Sequence, residues 1–402
     1  MKRLLILFMM IAPAHSLWAQ NTDVEALFSL AEAYTNEGKM RDAITVYQKI
    51  NDIDETYSEA WAGMGKMYYW LEQPVTAARC YRRALELDPG NEEILEGYRN
   101  VRQESAWGIT LRTSPFQEKE EDYTINAITT RLKIEKRVSD RFRLEANFLL
   151  DYSNRDFSDE QEDTTRWYNS SWIKAEYIAR HHTLGAYGGY SNTDDKASSY
   201  GAYWRLNYKP GKFILKNALQ AGYDYYYYWN KVGATSVTDE ASAAYDFIEL
   251  GGSYSYGLVD AVYTYDLSTT DTGEVRKNPY QAYGITLSFR ILKRPDLRAG
   301  LVHSYLDYTY KSPLYYSPDQ RRLTGAFASL YWKVSRFYVY GNLSYKIGSE
   351  INTGEKMNVN NWTSRLEIGY DHDPVSVSLG ESSFYNPYYQ NITVFAAIKV
   401  LL

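Results

Sequence analysis

The stretch FYVYGNLSYK, residues 337–346, decides the fold of most of this chain. Its odd-numbered side chains, from Phe337 to Tyr345, are apolar, small or aromatic, and its even-numbered ones, from Tyr338 to Lys346, all carry polar groups. Successive side chains of a β-strand point to opposite faces, so this period predicts a strand with one apolar and one polar face. The same alternation recurs in three other segments: residues 128–135, 142–150 and 283–291.

The connections between the strands distinguish a membrane barrel from a soluble β-sandwich, since both folds show alternation. Eight long polar connections alternate with seven tight turns from Ser114 to the carboxy terminus, which predicts about sixteen strands. Outer-membrane barrels have this asymmetry, with short periplasmic turns and long external loops. The 41 Tyr and 10 Trp residues also fit the aromatic girdles of such barrels. We therefore expect an antiparallel transmembrane β-barrel over residues 106–402, surrounded by outer-membrane lipid.

The amino-terminal region follows a helical repeat instead. A spacing of 34 residues separates three pairs of identical residues: Tyr34 and Tyr68, Ala43 and Ala77, and Tyr47 and Tyr81. This is the period of the tetratricopeptide repeat (TPR), whose stacked helix pairs present a concave face to other proteins. We predict two repeats, 24–57 and 58–91, and a capping helix near 92–104, within a domain of residues 20–105. The fold class expected is mixed α and β, a short TPR unit followed by the barrel, with a periplasmic protein as partner of the repeats.

Residues 1–19 have the form of a secretory signal peptide. Lys2 and Arg3 precede an apolar run, residues 4–11, and the small residue Ala19 stands at the expected cleavage point. The mature chain has one cysteine, Cys80, so it can form no internal disulfide, and without a neighbouring His or second Cys we expect a packing thiol. The net charge of −6 leaves no basic footprint for nucleic acid, which we exclude as a partner.

No catalytic, cofactor-binding or metal-binding residues are predicted, and we expect a protein that is not an enzyme. The sequence has no Gly-rich phosphate loop, no zinc-binding spacing and no nucleophile elbow. His303 and Ser304 are neighbours in a predicted strand, so their side chains point to opposite faces and cannot share a site.

The candidate site is the polar face of the barrel strands, which carries charges of both signs. A barrel of about sixteen strands is wide enough for an aqueous channel, and mixed charge with Tyr hydroxyls suits a hydrated glycan. The other interpretation is a network of ion pairs that fills the barrel. The candidate pore-lining residues are Arg131, Lys133, Arg143, Glu145, Lys174, Glu176, Arg205, Arg290, Arg365 and Glu367.

The chain resembles the outer-membrane exopolysaccharide exporters, typified by the cellulose synthase C subunit and the poly-N-acetylglucosamine porin, which join periplasmic TPRs to such a barrel. The segment YYSPDQ, residues 315–320, is similar to the aromatic-Ser/Asn-Pro segment of their late loops and makes Tyr316, Ser317 and Pro318 a candidate loop motif. The resemblance implies export of a polysaccharide across the outer membrane, although those exporters carry long repeat scaffolds and this chain has two repeats. Two alternatives stay open: a non-transporting outer-membrane receptor, assembly or adhesion protein, and a barrel-embedded hydrolase.

Overall fold

A computed structural model of the 402-residue chain describes residues 24–119, 123–157, 164–192, 197–209, 211, 213–229, 240–271, 277–310, 317–386 and 390–402. The predicted signal peptide, residues 1–19, lies outside the described residues. The chain divides into two compact units. The first comprises Met1–Ala106 with Lys136–Phe142, and the second comprises Trp107–Glu135 with Arg143–Leu402.

The helices of the first unit follow the predicted repeat. The described residues contain five: α1 (24–36), α2 (Met40–Ile53), α3 (Ser58–Trp70), α4 (Pro74–Leu87) and α5 (Glu92–Ser105). The predicted short helical TPR unit is therefore confirmed. None of the described helices is long and apolar enough to cross a membrane.

The recurring tyrosines lie where neighbouring helices approach closely. A Cβ atom added to Gly63 would lie 2.5 Å from the Tyr47 ring. One repeat later, Cβ atoms on Gly65 and Gly97 would lie 2.8 Å and 2.5 Å from the Tyr81 ring. Real Cβ atoms do not come so close to a neighbour, so each ring occupies space that exists because a glycine faces it. The tyrosines therefore recur every 34 residues because each one packs its ring against a glycine on a neighbouring helix.

The second unit is a closed barrel of sixteen antiparallel strands, in which each strand pairs with its neighbours in sequence and β1 pairs with β16. The predicted barrel of about sixteen strands is confirmed. The strands are β1 (Trp107–Lys119), β2 (Tyr123–Arg137), β3 (Phe142–Phe157), β4 (Thr164–Ile178), β5 (His182–Asn192), β6 (Ala197–Tyr208), β7 (Phe213–Trp229), β8 (Glu240–Tyr256), β9 (Val259–Asp271), β10 (Asn278–Lys293), β11 (Asp296–Tyr308), β12 (Gln320–Val334), β13 (Phe337–Asn352), β14 (Glu355–His372), β15 (Val375–Tyr385) and β16 (Gln390–Leu401).

Two of the predicted long connections are mostly strand. The segment 348–360 is mostly strand, and only Thr353 and Gly354 join β13 to β14. Both residues have positive φ, 53° and 81°, as in a two-residue hairpin turn. The segment 114–123 is likewise mostly strand, up to Lys119. The prediction was wrong here because polar residues extend these hairpins as paired strands, and a polar composition alone does not separate strand from loop.

The two faces of the barrel strands differ as the alternation predicts. Large apolar side chains such as Phe337, Leu343 and Ile347 are exposed on one face of β13, whereas Ser344 and Glu350 on the other face are buried. We call these the apolar face and the polar face. A contiguous exposed apolar surface suits contact with lipid.

Aromatic rings lie near both ends of the apolar face. Phe337 packs on Tyr370 with ring centroids 4.7 Å apart, and Tyr345 packs on Trp362 with centroids 4.5 Å apart. Phe337 and Tyr345 are separated by about 26 Å along β13 at about 3.3 Å per residue. With a tilt of about 40°, this is about 20 Å along the barrel axis, which is most of the apolar band of outer-membrane barrels, about 25 Å tall.

Candidate functional site on the polar face of the barrel

All ten candidate pore-lining residues lie on barrel strands, at positions opposite the exposed apolar side chains. Arg131 and Lys133 lie on β2, Arg143 and Glu145 on β3, Lys174 and Glu176 on β4, Arg205 on β6, Arg290 on β10, and Arg365 and Glu367 on β14. The structure joins most of them into a few charge clusters.

Glu176 is the centre of the first cluster. Its side chain is fully buried, and its carboxylate pairs with Arg143 and accepts a hydrogen bond from the Tyr203 hydroxyl. Arg205 Nη1 lies 3.4 Å from Glu176 Oε1. The side chains of Arg143 and Arg205 remain 38% and 48% exposed. One buried carboxylate therefore serves two guanidinium groups that face open space.

Two further carboxylates are each held by lysine. Glu145 Oε2 lies 3.0 Å from Lys174 Nζ, and Asn147 donates to the other oxygen of Glu145 over 2.9 Å. Glu135 binds Lys133 at 2.9 Å and Lys399 at 3.0 Å. Charge-assisted hydrogen bonds of this kind fix the orientation of both partners.

Arg290 belongs to the tight-turn end of the β10–β11 hairpin. Its Nε lies 3.1 Å from Asp296 Oδ1, which also accepts from Arg298 Nε at 3.1 Å. Arg298 in turn pairs with Asp260 on β9. Arg290 is thus part of a paired network beside a turn.

Arg365 and Glu367 form a pair on β14, with Arg365 Nη2 2.7 Å from Glu367 Oε2. Glu367 also accepts a hydrogen bond of 2.9 Å from the Tyr338 hydroxyl. Arg131, in contrast, is exposed, and within the described part of the chain it has no ion-pair partner.

Sequence reasoning missed two residues of the polar face, Arg112 and Phe395. The Arg112 guanidinium lies 4.0 Å from the centroid of the Phe395 ring, and the Arg365 guanidinium lies 5.4 Å from the same centroid. Arg112 stands between Thr110 and Ser114 in β1, so alternation in WGITLRTS was the signal that could have identified it. Phe395 becomes its neighbour only through the pairing of β1 with β16.

The candidate loop motif is only partly described. Tyr316 lies outside the described residues, whereas Ser317 and Pro318 are buried. The carbonyl oxygen of Pro318 accepts a hydrogen bond of 3.2 Å from the amide of Tyr308, at the end of β11. The two described residues of the motif therefore pack beside the end of this strand.

The histidine and cysteine residues considered as possible reactive groups have structural contacts instead. His303 Nδ1 lies 2.8 Å from Thr324 Oγ1 on the neighbouring strand. Burial raises the pKa of the Cys80 thiol to about 11, which keeps it protonated at neutral pH. Among the described residues, no group of His, Cys, Asp and Glu is arranged to hold a metal ion.

The family model described as "Tetratricopeptide repeat" matches residues 24–57 and again residues 58–91. These segments are tetratricopeptide repeats. The chain is also 27% identical over 82 residues to Hsp70-Hsp90 organizing protein 2 of Arabidopsis thaliana, and 30% identical over 77 residues to Hsp70-Hsp90 organizing protein 1 of Glycine max. These matches cover 20% and 19% of this chain but 14% of the length of each relative.

The barrel is similar to a solved structure described as a bacterial polysaccharide outer membrane secretin. The similarity covers 74% of this chain and 99% of the other, with a TM-score of 0.52 and 11% sequence identity. At this identity the comparison shows the fold, a closed barrel like those of bacterial outer-membrane proteins. The chain thus combines two TPRs with an outer-membrane type of β-barrel.

Proposed function

We propose that the barrel is an outer-membrane channel for a polysaccharide, and that the TPR unit lies in the periplasm and binds a protein partner. The observation that carries the proposal is the exposure of charged groups on the polar face. Arg143, Arg205 and Arg365 keep 38%, 48% and 43% of their side-chain surface accessible. Side chains that filled the barrel would bury one another, so this exposure supports open, hydrated space along the polar face.

The chemistry of the polar face suits a glycan. It offers guanidinium groups beside aromatic rings, as at Arg205 with Tyr203 (4.3 Å to the centroid) and Arg365 with Tyr340 (5.7 Å). Such groups donate hydrogen bonds to sugar hydroxyls, while the rings present apolar surface to the faces of sugar rings. The fold similarity to a polysaccharide secretin agrees with this substrate class.

Single-channel recording of the purified chain in a planar bilayer tests the channel. We expect stable conductance in the wild type, and a changed ion preference when Arg143 and Arg205 are both replaced by Gln. Inward-facing substitutions tune the selectivity of such barrels and leave assembly intact, so the variant should remain heat-modifiable on gels. If neither the wild type nor a form lacking residues 311–316 conducts, the channel proposal fails.

A second candidate, a barrel without a continuous path, is favoured by the paired carboxylates Glu135, Glu145 and Glu176. Such a protein would act as a surface receptor or assembly partner. The same recordings decide between the two candidates, because only the channel conducts.

The docking role of the TPR unit is tested by deleting residues 21–104. A closed barrel makes its own backbone hydrogen bonds, so the truncated chain should still fold in lipid and conduct. It should, however, fail to co-purify with the periplasmic protein that the full chain captures. Loss of barrel folding would contradict a separate docking role.

A further inference from the structure

Three basic residues of the polar face, Arg112, Arg131 and Arg365, lie close together, and only Arg365 is paired with a carboxylate. Hydrogen bonds join Thr113 to Thr130 (3.4 Å) and Gln117 to Asn126 (2.8 Å) across β1 and β2. An antiparallel register that places residue 113 opposite 130, and residue 117 opposite 126, also places Arg112 opposite Arg131. Both arginines lie on the polar face, one position along from the threonine pair. Arg365 lies on the same face, above the ring that Arg112 also contacts.

The charges of this group do not balance. Arg365 pairs with Glu367, but in the described part of the chain neither Arg112 nor Arg131 lies within ion-pair distance of an acidic residue. Like charges directly opposite each other on paired strands are destabilising. The neighbouring Glu135 cluster differs, because there one carboxylate lies between Lys133 and Lys399. The Arg112–Arg131–Arg365 group therefore has one carboxylate, Glu367, for three guanidinium groups and keeps a net positive charge.

The guanidinium groups are also held in position. The Phe395 ring is buried, and it occupies space that Gly380 leaves by having no side chain, since a Cβ there would lie 2.7 Å from the ring atom Cε1. Arg112 lies over this ring, and its Nε donates a 3.3 Å hydrogen bond to Ser114 Oγ. Cations are attracted to aromatic faces, so the ring fixes the charge without neutralising it. A preorganised guanidinium loses little freedom when it binds an anion.

We propose that Arg112, Arg131 and Arg365 form a binding site for the carboxylate groups of an acidic polysaccharide. The planar guanidinium fork matches a carboxylate in a bidentate arrangement, and adjacent forks can engage successive acidic sugars. This inference rests on the proposed function, because the polymer reaches the polar face through the barrel. It adds the substrate class, a polyuronate rather than a neutral or cationic glycan.

Isothermal titration calorimetry on the full chain in detergent tests the site without requiring conductance. The probes are hexagalacturonate, the neutral maltohexaose of equal length, and inorganic phosphate. We expect hexagalacturonate to bind at least about tenfold more tightly than maltohexaose, and Arg112→Gln/Arg131→Gln to weaken it by about ten- to hundredfold, the range for hydrogen bonds to charged groups. The matched control is Lys133→Gln/Lys399→Gln, which removes the same charge from a paired site. It should change the affinity less than about threefold, since both ammonium groups already bind Glu135 and are not directed at a ligand.

Several results would overturn the site. The first is equal weakening of hexagalacturonate binding in the two double variants, which would mean that the overall positive potential of the polar face, and not this site, attracts the ligand. The second is equal binding of the two hexasaccharides. The third is phosphate binding as tight as that of hexagalacturonate. Heat-modifiability on gels reports whether each variant is folded. The single variant Arg131→Gln, at an exposed position without an ion pair, provides the same test if the double variant misfolds. Selective binding without conductance supports the site and refutes the channel, whereas conductance without selective binding refutes the site alone.

Discussion

Replacing Tyr81 with Ala should unfold the second repeat locally. Tyr81 is buried, with 7% of its surface exposed, and its ring packs with Ala77 on α4 and with Ile94 and Val101 on α5. Truncating a buried aromatic residue to Ala costs about 3–5 kcal/mol, because transfer free energy is lost and a cavity remains. At about 1.4 kcal/mol for each factor of ten, the open population of α4 and α5 should rise by at least about 100-fold.

Hydrogen–deuterium exchange of the full chain, read by mass spectrometry, measures this opening. Peptides of α4 and α5 should exchange at least about 100-fold faster, while α1 and α2, which pack in a separate core around Tyr47 and Ile50, should change less. Tyr81→Phe is the matched control. It should cost less than about 1 kcal/mol, because its hydroxyl has no hydrogen-bond partner in the described part of the chain.

The glycine opposite the ring supplies a second, independent test. Gly97→Leu should destabilise the wild type, since even its Cβ would lie 2.5 Å from the Tyr81 ring. In the Tyr81→Ala background, the same leucine enters the vacated space and should cost much less. We expect a coupling free energy of at least about 1 kcal/mol between the two positions. Less than tenfold faster exchange in Tyr81→Ala, or additive effects of the two changes, would refute this account of the 34-residue period.

Three further outcomes are expected. Cys80, whose pKa is raised to about 11 by burial, should resist iodoacetamide at pH 7.5 in the folded chain and react fully in urea, as read by intact mass; rapid labelling of the folded chain would contradict its burial. Asp140, in the segment assigned to the first unit, accepts hydrogen bonds from the amides of Val75 and Thr76 at the start of α4, so Asp140→Ala should cost about 0.5–2 kcal/mol, seen as faster exchange confined to the first turns of α4. An epitope inserted after Gly354 should be labelled on intact cells and one after Gly211 should not, and the reverse pattern would invert the proposed topology.

The parts of the fold that were predictable from the sequence are those with local signatures. The alternation in residues 337–346 and the spacing of Tyr47 and Tyr81 each report contacts that repeat along the chain. For the candidate site, the sequence predicted which side chains share the polar face but not which of them contact one another. The cluster of Arg112 and Phe395 depends on barrel closure, which pairs Arg112 with Ala397, and no local pattern records that register. The connection at Thr353 and Gly354 was mispredicted because a polar hairpin and a polar loop have similar composition.

The net charge of the chain, −6, would by itself argue against an acidic substrate. The geometry of the polar face gives the opposite expectation. The carboxylates of Glu176 and Glu145 lie against the barrel wall with 0% and 10% side-chain exposure, whereas the guanidinium groups bonded to Glu176 project from it. A ligand beside the Glu176 cluster therefore meets positive groups first, and the buried carboxylate acts mainly to hold them in place. Selectivity in such a barrel depends on which sign of charge is buried, and this is set by strand register rather than by composition.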